Sequence, residues 1–242
     1  MLVVVLFGLL MTIRTAFSFG VEIAGLDRLV LIHKVSLIMP LPVSYKARLQ
    51  QVKGVELATH QSWFGGIYQD PSNFIANFAV EPESWLAMYP EYTLPDEQKK
   101  AWFANRTGAI VGIDTARRFG WKVGDRVPLQ GTIYRTPNDA PWEFTIEGIY
   151  DSAVLGTDKT QFFFHYNYLN ETLQQNFGRD QVGWYIVKVA NPAEAFTLSN
   201  FDITWTTSST LSGYKWGIER KARLLEQEKF SAAKANAAEK HG

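Results

Sequence analysis

The sequence contains no cysteine. That excludes disulfide frameworks, thiolate zinc sites, iron–sulfur ligation and cysteine nucleophiles together, and it leaves the compartment open, because a cysteine-free chain suits cytosol and periplasm equally. Neither charge is in excess: 24 Lys and Arg balance 24 Asp and Glu across 242 residues, so the formal net charge is zero. With no global field to recruit phosphate backbones, no nucleic-acid partner is expected. Phosphate-cradling and hydrolytic motifs are also missing. There is no Walker A loop, since Gly65-Gly66 runs into Ile67, and no G-x-S-x-G elbow. The four histidines, His33, His60, His165 and His241, have no ligand spacing with one another or with carboxylates, so no metal or bound cofactor is expected. His33 and His165 sit in strand-like segments and read as structural. Asp114, Asp125, Glu143 and Glu147 read as caps, turns and one wet strand face. The expectation is a chain that is not an enzyme.

Long apolar runs are scarce. The one candidate is Met1 to Ile13, uncharged up to Arg14. At about 1.5 Å per residue it covers roughly 20 Å, short of the roughly 30 Å hydrocarbon core. Three readings are open. A signal peptide would want a basic start and a better cleavage site than Ala16-Phe17-Ser18. A buried helix would want a polar face, which Val3-Val4-Val5 and Leu9-Leu10-Met11 do not leave. The third, the end of a transmembrane helix over residues 1–19 with Arg14 at the interface, is the one adopted.

What is present is a core-forming composition, 46% apolar and 20% charged, with eight Trp, ten Tyr and sixteen Phe. Much of the burial is therefore expected from large rings. Leu29 to His33 reads as a strand, and Ser44 can cap a helix carrying Tyr45, Leu49 and Val52 that ends at Gly54. Val55 to Ser62 is the next strand, and Phe74 to Val80, apolar on most of both faces, reads as a central one. Glu83 to Met88 and Asp96 to Phe103 are short helices. From Gly108 to Asp151 the pattern turns β-rich. A strand at Ala109 to Val111, a helix from Asp114 to Phe119 closed by Gly120, and a strand bearing Val127 and Leu129 lead to the clearest two-residue alternation in the chain. There Trp142, Phe144, Ile146 and Gly148 alternate with Glu143, Thr145 and Glu147. Gln161 to His165, a helix near Tyr166 to Phe177 and a strand from Trp184 to Val189 follow. Residues 196–242 turn Ser/Thr-rich and then Ala/Lys/Glu-rich, and read as an atypical polar tail.

Four segments carry a family resemblance. Gly108-Ala109-Ile110-Val111-Gly112, Ala116-Arg117-Arg118-Phe119-Gly120, Lys122-Val123-Gly124-Asp125-Arg126-Val127 and Phe144-Thr145-Ile146-Glu147-Gly148-Ile149-Tyr150 resemble, in that order, the extracytoplasmic (MacB-like periplasmic) core domain of FtsX/MacB-type ABC-transporter permeases. The resemblance covers roughly Phe7 to Pro192. It implies an α+β fold of two lobes, with a small β-rich lobe (108–151) inserted into an α/β-sandwich lobe (20–107 and 152–195) and the end of a transmembrane helix preceding both. It further implies a permease subunit in the bacterial inner membrane with its folded domain in the periplasm. ATP would be bound by a partner ATPase subunit. A second permease chain, membrane lipid and a periplasmic adaptor are the other implied partners. Its role would be to couple ATPase-driven motion to export or extraction of a substrate. The alternative is a secreted or membrane-anchored ligand-binding module without transport activity. The sequence departs from the family plan after Val189, where no apolar stretch could form the second membrane span.

Two local features are candidates for roles of their own. Trp63-Phe64-Gly65-Gly66-Ile67-Tyr68 sets three rings about a Gly-Gly turn, so Trp63, Phe64 and Tyr68 either contact a partner or fold back onto the core. Gly124 and Asp125 read as a structural turn, Gly124 at positive φ and Asp125 accepting a backbone N–H.

Overall fold

The computed structural model describes residues 28–33, 39–136, 138–173 and 178–190, together with the backbone of 203–207. In chain order the elements are β1 (Arg28–His33), β2 (Leu41–Pro42), α1 (Tyr45–Gln50), β3 (Val55–Trp63), β4 (Gly66–Ile67), β5 (Asn77–Val80), α2 (Pro82–Met88), α3 (Asp96–Ala104) and β6 (Gly108–Gly112). There follow α4 (Ile113–Phe119), β7 (Arg126–Gly131), β8 (Trp142–Tyr150), β9 (Phe162–His165), α5 (Tyr166–Thr172), β10 (Gln181–Val182), β11 (Trp184–Val189) and β12 (Ile203–Thr207). Ten of the strands form one mixed sheet in the order β12-β1-β11-β3-β5-β9-β6-β8-β7-β4, and β2 pairs with β10 apart from it.

The burial of each strand follows from its side-chain pattern. β8 hides Trp142, Phe144, Ile146, Gly148 and Tyr150 and turns Glu143 outward, the expected result of a two-residue period with one face packed. β7 alternates in the same way, with Val127 and Leu129 buried. β5 and β9 have no polar stripe, and all four residues of each are buried. Such strands are stable only in the middle of a sheet with helices on both faces. That is where they lie, parallel to each other with Asn77 opposite Phe162 and Val80 opposite His165. On one face Leu49 of α1, Ala116 of α4 and Leu169 of α5 join Phe144, Phe162 and Phe164 in one core. On the other, Trp85 of α2 and Trp102 of α3 join Ile110, Tyr150 and Phe163 in a second.

The fold is α+β, a large mixed sheet carrying short helices. Its division differs from the expected one. Strands from 55–63, 77–80 and 184–189 share a sheet, but the strands of 108–151 belong to that same sheet rather than to one of their own. The reason is β9, which pairs with β5 on one edge and with β6 on the other and so joins the two halves. The strand expected from Phe74 begins only at Asn77, and Phe74 itself is 67% exposed. The helix expected to reach Phe177 closes at Thr172; residues 174–177 lie outside the described residues, as does the apolar segment 1–19. Among the described residues no helix is long and apolar enough to cross a membrane.

A second correction concerns the tail. Within 196–242, Ile203–Thr207 is strand β12, paired antiparallel with β1 from His33 opposite Ile203 to Leu29 opposite Thr207. Its sequence, Ile-Thr-Trp-Thr-Thr, is β-branched and aromatic throughout, a strand signal that the polar composition around it conceals. The remainder of the tail lies outside the described residues. Because β1 begins at Arg28 and β12 ends beside Leu29, the chain enters and leaves the sheet at the same end on adjacent strands. Arg28 is fixed there by a two-pronged ion pair, Nη1 donating to Glu91 Oε1 at 2.7 Å and Nη2 to Oε2 at 3.1 Å, with its guanidinium over the Tyr89 ring.

Since β12 covers the outer edge of β1, a chain ending at residue 195 is expected to melt at lower temperature and to self-associate more than one ending at residue 209. An uncovered edge is a template for further pairing. Thermal melts and size-exclusion chromatography of the two truncations check this.

Candidate functional site

The residues about the Gly-Gly turn divide. Phe64 is fully buried, edge-on to Phe164 (5.1 Å between centroids) and Trp142 (5.4 Å) and stacked on Tyr134 (6.2 Å). It cannot contact a partner; it is core. Gly65, at φ 70°, makes the reversal that carries Phe64 inward. Asn77 then locks it, taking the Gly66 N–H on Oδ1 at 2.8 Å and giving Nδ2–H to Gly66 O at 2.7 Å. Tyr68 is half-buried, edge-on to Phe119 and Trp121. Trp63 is half-buried between Phe78 (5.2 Å) and Phe74 (6.0 Å, stacked). The ring left in solvent at this place is Phe74, which alternation alone assigns to a strand.

Gly124 stands at φ 93° and donates its N–H to Ile146 O at 2.7 Å. Asp125 Oδ2 accepts the Lys122 N–H at 2.8 Å, and Asp125 O accepts Ile146 N–H at 2.9 Å. The pair ties the turn before β7 to the middle of β8. Those bonds fix where β7 starts.

Chemistry gathers elsewhere, at the carboxyl ends of the parallel strands β5 and β9. There a cleft of about 270 Å³ opens between β3, the start of α2, the end of α3 and the start of α5. His60 of β3 and His165 of β9 line it, with Glu81 and Glu83 on the α2 side and Arg106 and Tyr166 opposite. His60 is only 3% exposed, its ring set edge-on to Tyr166 at 4.6 Å, and its buried Nδ1 has no hydrogen-bond partner among the described residues. Burial pushes its pKa down to about 4; nearby Lys46 adds to the effect and Glu81 opposes it. The ring is therefore neutral near pH 7. His165 Nε2 lies 2.6 Å from Trp102 O. A carbonyl only accepts, so Nε2 carries the proton and Nδ1 of the neutral ring is an acceptor. Burial lowers this pKa also, partly offset by the Trp102 bond and by Glu83. Glu81 receives hydrogen bonds from Lys46 and Ser84. Burial alone would raise its carboxyl, but those bonds outweigh burial and hold it below its usual range.

No described group of three His, Asp or Glu residues could hold a metal ion. Nor do the cleft residues include a serine or cysteine nucleophile beside a base. The lining brings together two imidazoles, two carboxylates and a guanidinium. Sequence reasoning treated His165 as structural and saw no relation between it and His60. Their proximity arises only from the placing of β3, β5 and β9 side by side, and no spacing along the chain encodes it.

No protein-family model matches the chain, and no curated protein matches it in sequence. Solved structures do match in fold. The periplasmic region of MacB from Actinobacillus actinomycetemcomitans superposes with a TM-score of 0.54 at 12% identity, over 76% of this chain and 90% of that one. The fold is that of a MacB-type periplasmic domain. A domain of a protein assigned as a permease from Porphyromonas gingivalis gives 0.50 at 16% identity, over 78% of this chain and 94% of the other. The extracellular domain of the noncanonic ABC-type transporter YknZ from Gram-positive bacteria gives 0.49 at 11%, over 71% and 88%. The quoted motifs around 108–151 are the β6-α4-β7-β8 segment, where a helix, a tight turn and a period-two strand follow one another.

Two measurements test these assignments. Phe64→Ala is expected to cost about 3–5 kcal/mol in denaturant melts, the usual range for emptying a buried aromatic site. The second concerns pH. Above about pH 6.5, the unperturbed histidine value, His60 is neutral folded or unfolded and contributes nothing. As pH falls from there toward 4, the unfolded chain takes up a proton that the native state refuses, so stability drops by roughly 3 kcal/mol in all. Glu81, with its depressed carboxyl, loses its contribution in the same direction at still lower pH. His60→Phe is expected to flatten the pH 6.5-to-4 part of the stability profile and to leave the lower part standing.

Proposed function

We propose that this chain supplies the extracytoplasmic domain of an ABC-transporter permease subunit. The observation that carries the reading is the MacB-type fold, spanning 76% of this chain and 90% of the MacB periplasmic region. The path of the chain supports it. A domain inserted between membrane-side segments must return its two ends to one place, and β1 and β12 do so on adjacent strands. In this reading the domain stands outside the cytoplasmic membrane, on the periplasmic side. The chain itself binds no ATP and performs no catalysis. A partner ATPase subunit and a second permease chain complete the transporter, and motion driven by ATP reaches the domain through the segments that join β1 and β12. The substrate class is open between lipid, lipoprotein, peptide and macrolide-like molecules.

A second reading, a ligand-binding module without transport activity, draws on the cleft. The two are separated by what accompanies the protein.

None of these 242 residues is cysteine, so a thiol introduced here is unique within them. Leu155 is 83% exposed on the turn after β8, so Leu155→Cys places one thiol on the domain surface. In the natural full-length gene product, expressed in its host, a membrane-impermeant maleimide is expected to label that thiol in intact spheroplasts, and an ATPase subunit is expected to co-purify. Labelling only after lysis overturns the location. Labelling without an ATPase favours the binding module.

A further inference from the structure

We infer that β12 is a releasable strap: tension between the points where the chain enters and leaves the sheet opens β12 and leaves β1 in place. The release follows from the register of the strands. That a transporter applies such tension rests on the permease reading above.

The direction of loading comes first. β12 pairs with β1 antiparallel, from His33 opposite Ile203 to Leu29 opposite Thr207. The chain enters β1 at Arg28 and leaves β12 after Thr207, so both ends stand at the same end of the ladder. Hydrogen bonds of an antiparallel pair run across the strands. A pull that parts residues 28 and 207 therefore acts along those bonds and falls on the Leu29–Thr207 pair alone. Once that pair opens, the load passes to Val30–Thr206 and so on to His33–Ile203. Pulled from opposite ends, the same two strands slide past each other, and every pair must yield together.

Anchorage decides which strand leaves. β1 is paired on both edges, with β12 on one and on the other with β11, from Arg28 opposite Lys188 to Leu31 opposite Tyr185. Leu29 and Leu31 are buried in the core that also holds Leu49 and Ala58. Arg28 adds its two-pronged bond to Glu91 and its place over the Tyr89 ring. Withdrawing β1 would break a second ladder, expose two leucines and part a shielded ion pair. β12 ends the sheet order and has β1 as its one partner strand among the described residues. A marginal element with one partner opens locally at a fraction of the free energy of global unfolding. Its departure uncovers the outer edge of β1 over Leu29 to His33, a row of backbone groups with which another strand can pair. Tension is thereby converted into an exposed edge.

The test is single-molecule force spectroscopy of the full chain, with handles on introduced cysteines. Asp27→Cys with Ser208→Cys parts the two ends of the ladder. Asp27→Cys with Asp202→Cys draws the same two strands from opposite ends. The first pair is expected to show a small, reversible opening at low force, ahead of the main unfolding event. The second is expected to lack that event and to yield only at higher force. Glu91→Gln loosens the hold on Arg28, and in the parting geometry it is expected to leave the force of the first opening unchanged, because β1 does not move in that step. A first opening no easier in the parting geometry than in the sliding one overturns the proposal, as does a single unfolding step in both. So does a first-opening force that falls in Glu91→Gln, since β1 would then be the strand that leaves. None of these readouts involves an ATPase, so they stand or fall separately from the permease reading.

Discussion

Everything in this domain is arranged around one strand that cannot touch water. β9 reads Phe162-Phe163-Phe164-His165, and all four residues are buried. Phe162 and Phe164 point to one face, among Phe144 and Phe64, while Phe163 points to the other, 4.0 Å between centroids from Trp85 and 5.8 Å from Tyr150. A strand with three consecutive phenylalanines must be covered above and below and paired on both edges. The pairing is met by β5 running parallel and β6 antiparallel, and the covering by α4 and α5 on one face and by α2 and α3 on the other. The two halves of the sheet thus share a spine, and neither buries its apolar surface without it.

That dependence explains which parts of the fold are legible in the sequence. Elements whose signal is local are readable: β8 from its alternation, β7 from Val127 and Leu129, α4 from its length and closing glycine. The turn at Lys122 to Asp125 is readable too, because a glycine at positive φ followed by an aspartate that accepts a nearby N–H is determined within four residues. What local pattern cannot carry is which edge a strand seeks. The segment 108–151 has every mark of a self-sufficient β unit, and only β9, arriving from beyond residue 160, shows that its sheet continues. β12 was hidden for the converse reason, five strand-forming residues inside a stretch whose average composition is that of a tail. Phe64 shows the same limit. An aromatic beside two glycines can turn in or out, and Asn77, eleven residues after Gly66, decides the matter by taking both Gly66 backbone groups.

The cleft is less legible still. Its two imidazoles come from strands separated by β5, and each histidine alone has an ordinary structural explanation: a ring among tyrosines for His60, a carbonyl partner for His165. Their environments set them apart from such residues. His60 sits where burial suppresses its charge and, among the described residues, nothing bonds its Nδ1, a combination that costs stability.

The cleft and the start of β1 are connected by covalent and ionic links. β5 runs antiparallel to β3, so its carboxyl end points back toward the level of the sheet at which β1 begins. From that end the chain forms Glu81 and then α2, and the connection after α2 carries Tyr89 and Glu91, which hold Arg28, the first residue of β1. One lip of the cleft is therefore the start of a short helix whose far end grips the strand through which the chain enters. The Arg28–Glu91 pair makes that junction firm, since both side chains are largely shielded, at 13% and 19% exposure, and a two-pronged guanidinium–carboxylate contact fixes direction as well as distance.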